Sequence, residues 1–267
     1  MRIDLHNHTT RCCHAVGSMD AYVEAALAND IEEFGFSDHS HWMLHAKGPR
    51  YAMRPHEHEH YIADVRRLQA RYRRDGAQPF RIRLGMEMDF IPSRLALARE
   101  AIARHDWDYV IGSVHHVGLG NMQGDELYAT WPIEDICEVY FDAVGHMVRE
   151  RFCDIVGHLD LPKKLGHRLP GGMLRLIEPL IPDLLANDIA VEINTSGIDA
   201  PAGEVMPGWD VIALLADRGV PLTLGSDAHA PDQVGRHFNA VFARLKQLGV
   251  RELVRFERRQ MLAAPID

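Results

Sequence analysis

The stretch R-I-D-L-H-N-H at residues 2–8 is a short apolar run that ends in two histidines, His6 and His8. Side chains on a β-strand repeat their direction every two residues, so both imidazoles would project from the same face of a strand. One H-x-H pattern is weak support for a metal site on its own. Six further apolar runs along the chain end in a residue that can bind a metal ion, and this recurrence determines the predicted fold.

Strand-like and helix-like segments alternate along the chain, and no linker, low-complexity tract or repeat interrupts them. Seven such repeats predict parallel strands joined by right-handed crossovers, which is typical of an α/β protein. Pro179 and Pro182 fall inside the apolar pattern of residues 174–187, so the helix there is predicted to be broken. Strands are predicted at residues 2–5, 33–37, 81–86, 109–112, 154–157, 190–193 and 221–225, and helices at 19–29, 61–74, 95–105, 133–150 and 211–218.

The residues at the strand ends favour a closed barrel over an open sheet, two arrangements that periodicity alone does not separate. Polar residues at the seven strand ends are His6, His8, Asp38, His39, Glu87, His115, His158, Glu192, Asn194, Asp227 and His229. In a parallel barrel all carboxyl ends of the strands face one mouth, so side chains distant in sequence converge there. In an open sheet the outer strands lie too far from the centre for the side chains at all seven strand ends to converge. The sequence therefore predicts a barrel with a metal site at its C-terminal mouth.

Imidazole and carboxylate groups without thiolate suit Zn, Mn or Fe, and their number here is too large for one ion. Each residue also has an ordinary interpretation. His158 could be solvated, Asp38 and Asp227 could form turns, and Glu87 could be the first solvated residue after a strand. These interpretations would have to hold independently at every strand, so a shared metal centre is the stronger prediction.

Other histidines are predicted to lie outside the metal centre. His56, His58 and His60 follow Pro55 at a helix start, where residues two positions apart point in different directions. Only His56 and His60 would therefore share a face, and a solvated helix face is predicted here in place of a metal site. Positions near the mouth, where contact with substrate could occur, are predicted for His41, His45 and His116.

The composition is that of a globular protein with an acidic surface. Its 267 residues include 29 Lys and Arg against 38 Asp and Glu, a formal net charge of −9. Such a surface is expected to repel nucleic acid and anionic lipid. No apolar run reaches about 18 residues, residues 1–4 lack a signal-peptide profile, and the four cysteines show no paired spacing. These features predict a cytoplasmic protein that binds neither nucleic acid nor membranes, and they predict no particular oligomeric state.

Eight motifs, in order along almost the whole chain, resemble those of the PHP (polymerase and histidinol phosphatase) superfamily. They are D-L-H-N-H-T (4–9), R-C-C-H-A (11–15), G-F-S-D-H (35–39), G-M-E (85–87), I-G-S-V-H (111–115), V-G-H-L-D-L (156–161), E-I-N-T-S-G (192–197) and L-G-S-D-A-H (224–229). The pattern of G-S-V-H, G-H-L-D-L and N-T-S-G is most similar to monofunctional histidinol-phosphate phosphatases. The resemblance implies a distorted (β/α)7 TIM-like barrel, one PHP-type domain over residues 1–267, and three divalent metal ions.

The resemblance also implies which residues bind the ions. The first ion would be held by His6, His8, Glu87 and Asp227, the second by the bridging Glu87 with His115 and His158, and the third by His14, His39 and His229. Seven neutral imidazoles and two carboxylates around three divalent ions would leave the mouth with about four positive charges. A mouth of this charge would attract a phosphate dianion.

The predicted substrate-binding residues are Lys163, Lys164, Asn194 and Asp38. Phosphatases of this type carry an Arg shortly after N-T-S-G, whereas this chain has Asp199 there. Lys163 or Lys164 would neutralise the phosphate, although lysine lacks the bidentate fork of arginine. Asn194 would contact substrate or hold the turn after the sixth strand. Asp38 could also orient a ligand or join the third ion.

The predicted reaction is hydrolysis of L-histidinol phosphate to L-histidinol and phosphate, a step of histidine biosynthesis. A hydroxide bridging two ions would attack the phosphoryl group in line. Glu87, Asp227 and His229 are the predicted catalytic residues, and Asp227 or His229 would protonate the leaving alkoxide. The alternatives are another small phosphomonoester, a phosphodiester or nucleotide substrate, and a non-catalytic metal-binding module. The acidic surface weighs against a phosphodiester or nucleotide substrate, and the full ligand set weighs against a non-catalytic module.

Overall fold

Parallel strands curve into a nearly closed barrel in the computed structural model, which describes residues 1–40, 51–74, 79–118 and 120–266. His41 and His45 lie outside these described residues. Within them, seven strands pair in the order β1 (Ile3–Asp4), β2 (Glu33–Phe36), β3 (Arg81–Asp89), β4 (Tyr109–Ser113), β7 (Ile155–Val156), β8 (Ala190–Asn194) and β9 (Leu222–Gly225). Every neighbouring pair in this order is parallel.

The first and last strands meet and close the barrel. The backbone N of Leu5 donates to the carbonyl oxygen of Leu224 at 3.0 Å, and Asn7 pairs with Ala228 in a parallel bridge. The predicted α/β barrel is therefore confirmed, and the open sheet is excluded. The strand ends differ from prediction by a few residues, most at β3, which continues to Asp89 instead of ending at residue 86.

Helices cover the outside of the barrel between the strands. They are α1 (Met19–Ala28), α2 (His58–Tyr72), α3 (Leu95–Ala103), α4 (Asp125–Thr130), α5 (Ile133–Arg149), α6 (Leu174–Ile177), α7 (Ile181–Ala186), α8 (Trp209–Asp217) and α9 (Phe238–Gln247). Ser18 caps α1 by accepting a hydrogen bond from the backbone N of Ala21 at 3.2 Å. The helix that contains Pro179 and Pro182 is broken as predicted, because a 3-10 turn at Glu178–Leu180 separates α6 from α7.

The side chain of Tyr109 fills part of the barrel interior. It is fully buried, and its hydroxyl donates to the carbonyl oxygen of Leu5 at 2.6 Å. A Cβ atom at Gly85 would lie 2.3 Å from Cζ of this ring, so β3 needs glycine where it passes Tyr109. The interior is thus packed, and chemistry is confined to the ends of the barrel.

Among the residues that the structure describes, two antiparallel hairpins lie outside the barrel sheet. One, β5 (His116–Val117) with β6 (Gly120–Asn121), follows β4. The other, β10 (Glu252–Glu257) with β11 (Gln260–Pro265), ends the described chain. Phe256 of the second hairpin is buried in a cluster with barrel residues Leu5, Tyr109, Ile111, Ile155 and Ala190. This hairpin therefore covers the amino ends of the strands, opposite the predicted metal site.

None of the described helices combines the length and the apolar character needed to cross a membrane.

Candidate metal centre

Imidazole and carboxylate groups converge at the carboxyl ends of the barrel strands. A cavity of about 160 Å³ at this mouth is lined by His14, His39, Glu87, His115, Gln123, His158, Lys164, Asp227 and His229. His6 and His8 are fully buried and contact Glu87 and Asp227 from within the barrel. All nine residues predicted as ligands therefore come together at one mouth.

Glu87 lies at the centre of the cluster, near the end of β3. Its Oε2 atom is 3.2 Å from Nε2 of His6 and 3.0 Å from Nδ1 of His39. Its Oε1 atom is 3.1 Å from Nε2 of His158 and 3.5 Å from Nε2 of His115. The two oxygens thus face different groups of imidazoles, which is the arrangement a bridging carboxylate requires.

His6 is held by Glu192, a residue that the sequence places at a strand end without giving it a role. Nδ1 of His6 lies 2.6 Å from Oε1 of Glu192, whose Oε2 accepts from the backbone N of His158 at 2.8 Å. A Cβ atom at Gly225 would lie 2.2 Å from Oε1 of Glu192, so glycine in β9 leaves the space that this carboxylate needs. Because Nδ1 must donate to the carboxylate, Nε2 is the nitrogen of His6 that faces the cluster and is available to a metal ion.

His14 and His229 present lone pairs to each other. Nδ1 of His14 lies 2.8 Å from the carbonyl oxygen of Cys12, and Nδ1 of His229 lies 3.0 Å from that of Asp227. A carbonyl oxygen only accepts, so both Nδ1 atoms carry the proton. The two Nε2 atoms are 2.8 Å apart and cannot hydrogen-bond to each other in these tautomers. A cation bound by both Nε2 atoms would remove the repulsion between their lone pairs.

His115 is oriented by Asp89, a second residue that sequence reasoning missed. Its Nδ1 hydrogen-bonds to Oδ1 of Asp89, which lies two residues after Glu87 on the same face of β3. Burial alone would lower the pKa of His115, but Asp89 and Glu87 beside it raise the pKa to about 9. Without a metal ion this ring is therefore a cation at neutral pH.

Three imidazoles at the mouth, those of His14, His39 and His229, are held neutral. Burial lowers the pKa of His14, and it lowers that of His39 well below the ordinary value, with neighbouring imidazoles adding to the shift in His39. Burial, with His8 adjacent, lowers the pKa of His229 to about 3. Each of these three neutral rings has one nitrogen lone pair, and the rings converge, so they can bind a metal ion.

The two central carboxylates are held ionised. Burial alone would raise the pKa of Glu87, but His39, His6 and His115 lower it well below its ordinary value. Burial would likewise raise the pKa of Asp227, and His6, His8 and Lys164 lower it well below its ordinary value. Together with the neutral rings of His14, His39 and His229, these ionised carboxylates belong to the donor set of a Zn, Mn or Fe site.

Several buried polar atoms of the cluster have no hydrogen-bond partner among the described residues. They are Nε2 of His6, both ring nitrogens of His8, and Oε2 of Glu87. Leaving such atoms unpaired in the interior is costly, and a bound cation would satisfy them. In the described part of the chain, four groups of three residues are close enough to hold an ion: His6–His8–Glu87, His39–Glu87–His115, His14–His39–His229 and His8–Cys12–His229. The residues present therefore fit a centre with more than one metal ion.

Asp38 lies behind His8 and does not line the cavity formed by the described residues. It is fully buried, and its Oδ1 is 3.6 Å from Nδ1 of His8 and accepts from the backbone N of His39 at 2.9 Å. The hydroxyl of Thr9 donates to its other oxygen. Of the roles predicted for Asp38, this position favours orientation of His8 over contact with substrate.

Asn194 supports Asp227. Its Nδ2 donates to Oδ2 of Asp227 at 3.3 Å and to Oε2 of Glu192 at 3.2 Å, and its Oδ1 accepts from the backbone N of Ser196 at 3.0 Å. Ser196 also donates its hydroxyl to Oδ2 of Asp227 at 3.1 Å. Of the two roles predicted for Asn194, this geometry favours holding the turn after β8.

Lys163 and Lys164, which the sequence could not distinguish as phosphate-binding residues, have different surroundings in the structure. Lys163 is buried, and its Nζ contacts Oδ2 of Asp160 at 2.8 Å, the carbonyl oxygen of Val205 at 2.9 Å and Oε1 of Glu204 at 3.1 Å. These three acceptors use all three protons of the ammonium group, which argues against the substrate-binding role predicted for Lys163. Lys164 lines the metal cavity, with Nζ 4.0 Å from Oδ2 of Asp227.

The histidines near Pro55 follow the prediction. His56 and His60 are exposed, as expected for a solvated face. His58 is buried, and its ring packs against His105 and Trp107 at centroid distances of 5.0 and 5.6 Å. His58 thus lies off the exposed face of His56 and His60, because α2 turns this residue towards the ring of Trp107.

The sequence model of the PHP domain matches residues 4–196 of the chain. A protein of Deinococcus radiodurans named as a probable histidinol-phosphatase is 34% identical over 261 residues, which cover 97% of this chain and 97% of that protein. The histidinol-phosphatase of Lactococcus lactis is 24% identical, over 96% of this chain and 94% of that protein.

The fold is also similar to a solved structure. Histidinol phosphate phosphatase of Lactococcus lactis, crystallised with Zn, L-histidinol and phosphate, superimposes with a TM-score of 0.84 at 22% identity and covers 98% of each chain. At this identity the similarity establishes the barrel fold, and it agrees with the strand order described above.

Proposed function

Because the chain belongs to the PHP domain family, we propose that it is a metal-dependent phosphomonoesterase that hydrolyses L-histidinol phosphate to L-histidinol and phosphate. The observation that carries this proposal is the convergence of seven imidazoles and two carboxylates at one mouth of the barrel. Two further facts support the choice of substrate. A relative with this activity in its name aligns over almost the whole chain, and a protein of the same fold was crystallised with L-histidinol and phosphate.

The proposed centre holds three divalent ions, which Zn, Mn or Fe would supply. His6, His8, Glu87 and Asp227 would hold one ion, Glu87 with His115 and His158 a second, and His14, His39 and His229 a third. His39 lies 3.0 Å from Glu87 and also belongs to the group with His14 and His229, so it stands between two of these positions. Bound divalent ions would supply Lewis acidity and lower the pKa of a water molecule towards neutrality.

The protein groups of the centre orient the ligands and hold charge. Glu192 and Asp89 hydrogen-bond to the rear nitrogens of His6 and His115, which fixes where their front nitrogens point. Asp38 lies 3.6 Å behind Nδ1 of His8. Asp227 stays ionised, so it is suited to binding cations and carries no proton to donate. His229 is neutral and its Nδ1 proton is committed to a carbonyl oxygen. These states disfavour the role of proton donor that was predicted for Asp227 or His229.

Lys164 is proposed to contact the phosphoryl oxygens. It is the one lysine or arginine among the described residues that line the metal cavity, and its ammonium group would neutralise charge on a phosphate. The cavity volume of about 160 Å³ is small compared with about 300 Å³ or more for typical ligand pockets. A terminal phosphate would fill it while the rest of a monoester extends outwards. The small volume of the cavity and the net charge of −9 disfavour polynucleotides.

Phosphate release from a panel of esters tests this proposal. The purified protein, supplied with Zn²⁺ or Mn²⁺, should release phosphate from L-histidinol phosphate faster than from p-nitrophenyl phosphate, and should hardly cleave bis-p-nitrophenyl phosphate. His115→Ala should abolish release, whereas His60→Ala, which changes an exposed histidine on α2, should not. No release from any monoester would refute the proposal. A preference for the diester would favour the nucleotide alternative, and a preference for another monoester would replace the substrate.

A further inference from the structure

Asp227 has an unusual backbone conformation for a proposed metal ligand. Its φ angle is +52°, in the left-handed region that residues with a Cβ atom rarely adopt. This conformation directs the carboxylate inwards, where Oδ1 lies 3.2 Å from Nε2 of His8 and 3.7 Å from Nε2 of His6. A backbone held in this region needs compensating contacts from its surroundings.

Arg236 supplies such contacts from the opposite side of the turn. Its Nε donates to the carbonyl oxygen of Ser226 at 2.9 Å, and its Nη2 donates to the carbonyl oxygen of Asp227 at 3.0 Å. Successive carbonyl groups of an extended strand point in opposite directions, so one guanidinium reaches both only where the chain leaves the extended form. The two hydrogen bonds and the left-handed conformation of Asp227 therefore stabilise each other.

Two carboxylates fix the position of Arg236. Asp4, which is fully buried, accepts from the backbone N of Ser226 at 2.9 Å and from that of Gly235 at 3.1 Å, which anchors the chain directly before Arg236. Asp199 contacts Nη1 of Arg236 at 3.3 Å through Oδ2. Its other oxygen lies 2.7 Å from Nε2 of His237. Asp199 thus bridges two consecutive residues and limits rotation of the guanidinium.

Arg236 does not line the metal cavity formed by the described residues, and only 15% of its side chain is exposed. It is therefore placed to act on the metal centre through Asp227 and not by direct contact with a substrate.

We propose that Arg236 is a positioning residue that holds Asp227 in its metal-binding conformation, and that Asp199 holds Arg236 for this purpose. The inference rests on the proposed metal-dependent function. It assigns a role to Asp199, which stands near the position where the resemblance leads one to expect an arginine.

Metal affinity is the direct test. Arg236→Met should raise the dissociation constant for Zn²⁺ about 10- to 100-fold, the usual effect of losing a group that orients a ligand. Arg236→Lys keeps the charge but not the contact with both carbonyl oxygens. Its dissociation constant for Zn²⁺ should lie between those of Arg236→Met and the wild type. Arg244→Met, on the exposed side of α9, is the matched control and should bind Zn²⁺ as the wild type does. Excess metal should restore phosphatase activity to Arg236→Met, which a general folding defect would not allow.

The role of Asp199 follows from a double-mutant cycle. Asp199→Asn should weaken Zn²⁺ binding less than tenfold in the wild type and should have no further effect in Arg236→Met. Unchanged Zn²⁺ affinity in both Arg236→Met and Arg236→Lys would overturn the proposal, as would additive effects of Asp199→Asn and Arg236→Met. If the wild type itself bound no metal and released no phosphate, the proposed function would fail instead.

Discussion

Nδ1 of His6 lies 2.6 Å from Oε1 of Glu192, and both side chains are almost completely buried. The pair joins β8 to the end of β1, and it determines which nitrogen of His6 faces Glu87. Burial alone would lower the pKa of His6, but Glu192 and Glu87 raise it well above its ordinary value. A carboxylate behind an imidazole in this way fixes the tautomer and makes the ring a stronger ligand.

Glu192→Gln should weaken metal binding with little change in the volume of the side chain. The amide retains one acceptor for His6 but loses the negative charge, so we expect the dissociation constant for Zn²⁺ to rise about 10- to 100-fold. Titration calorimetry on protein stripped of metal measures this change. Glu252→Gln, at the exposed start of β10, is the matched control. Equal affinities for the two variants would contradict the role given to Glu192.

Lys164→Met should lower kcat/KM for a phosphomonoester by roughly 10- to 100-fold, because a charged hydrogen bond of about 1.5–3 kcal/mol to the phosphate would be lost. The free energy of unfolding should hardly change, since this side chain is partly exposed. Steady-state kinetics together with thermal unfolding separate the two effects. Lys246→Met, an exposed change on α9, should leave both quantities as in the wild type.

Lys163→Met should lower the stability of the protein and leave substrate binding unchanged, the opposite of Lys164→Met. Removing the ammonium group leaves Asp160 buried beside Glu204 without its cation, which costs about 3–5 kcal/mol for a buried pair. We expect a large fall in the free energy of unfolding, measured by denaturant titration, and an unchanged KM for the folded fraction. A raised KM with normal stability would show that Lys163, and not Lys164, contacts the phosphate.

Metal binding should depend on pH through His115. Since its pKa in the metal-free protein is about 9, against about 6.5 in an unfolded chain, an ion must displace a proton from this ring below pH 9. Apparent Zn²⁺ affinity should therefore fall as pH is lowered from 9 to 7, with proton release that calorimetry in two buffers detects. Asp89→Asn should reduce that release, because Asp89 is the carboxylate that most raises this pKa.

The free energy of unfolding of the metal-free protein should fall as pH rises because of His115, whereas metal affinity rises. A group whose pKa is higher in the folded than in the unfolded state stabilises the fold fully below the unfolded value of about 6.5. This contribution is lost as pH rises through about 9. Unfolding of wild type and Asp89→Asn at pH 6.5 and 9.5 measures it, and an equal pH dependence in both proteins would contradict the assignment.

The strands and the convergence of ligands follow from local sequence patterns. A two-residue period places His6 and His8 on one face, and short apolar runs locate the strand ends within a few residues. Asp89 was missed because the apolar run of β3 ends before the strand does. Its position two residues after Glu87 on one strand would have been the signal. Glu192 was visible at a strand end, but its contact with His6 crosses the barrel, from residue 192 to residue 6.

Other features depend on tertiary structure that no local pattern encodes. Lys163 and Lys164 are adjacent in sequence, and only the packing of the turn at Leu161–Lys163 decides which of them is buried. The C-terminal hairpin turns at Arg258 and Arg259, both with positive φ, where a two-residue turn would normally carry Asn and Gly. Two arginines gave no turn signal, so the element that covers the amino end of the barrel was not predicted.

Metal removal should destabilise the protein as well as inactivate it. An ion that binds only the folded state at 1,000 times its dissociation constant stabilises it by about 4 kcal/mol, and its removal should lower Tm by on the order of 10 °C. Chelation followed by calorimetry measures the fall, and added Zn²⁺ or Mn²⁺ should reverse it. Unchanged Tm after complete removal would contradict a structural contribution of the ions.

The number of ions can be tested at the third proposed position. His14 is more exposed than His6 or His8, and its rear nitrogen rests on the carbonyl oxygen of Cys12, so His14→Ala should fold normally. Elemental analysis should give three equivalents per chain for the wild type and for the control His60→Ala, and about two for His14→Ala. Two equivalents in all three proteins would exclude the third position, because removal of His14 would then cost no ion.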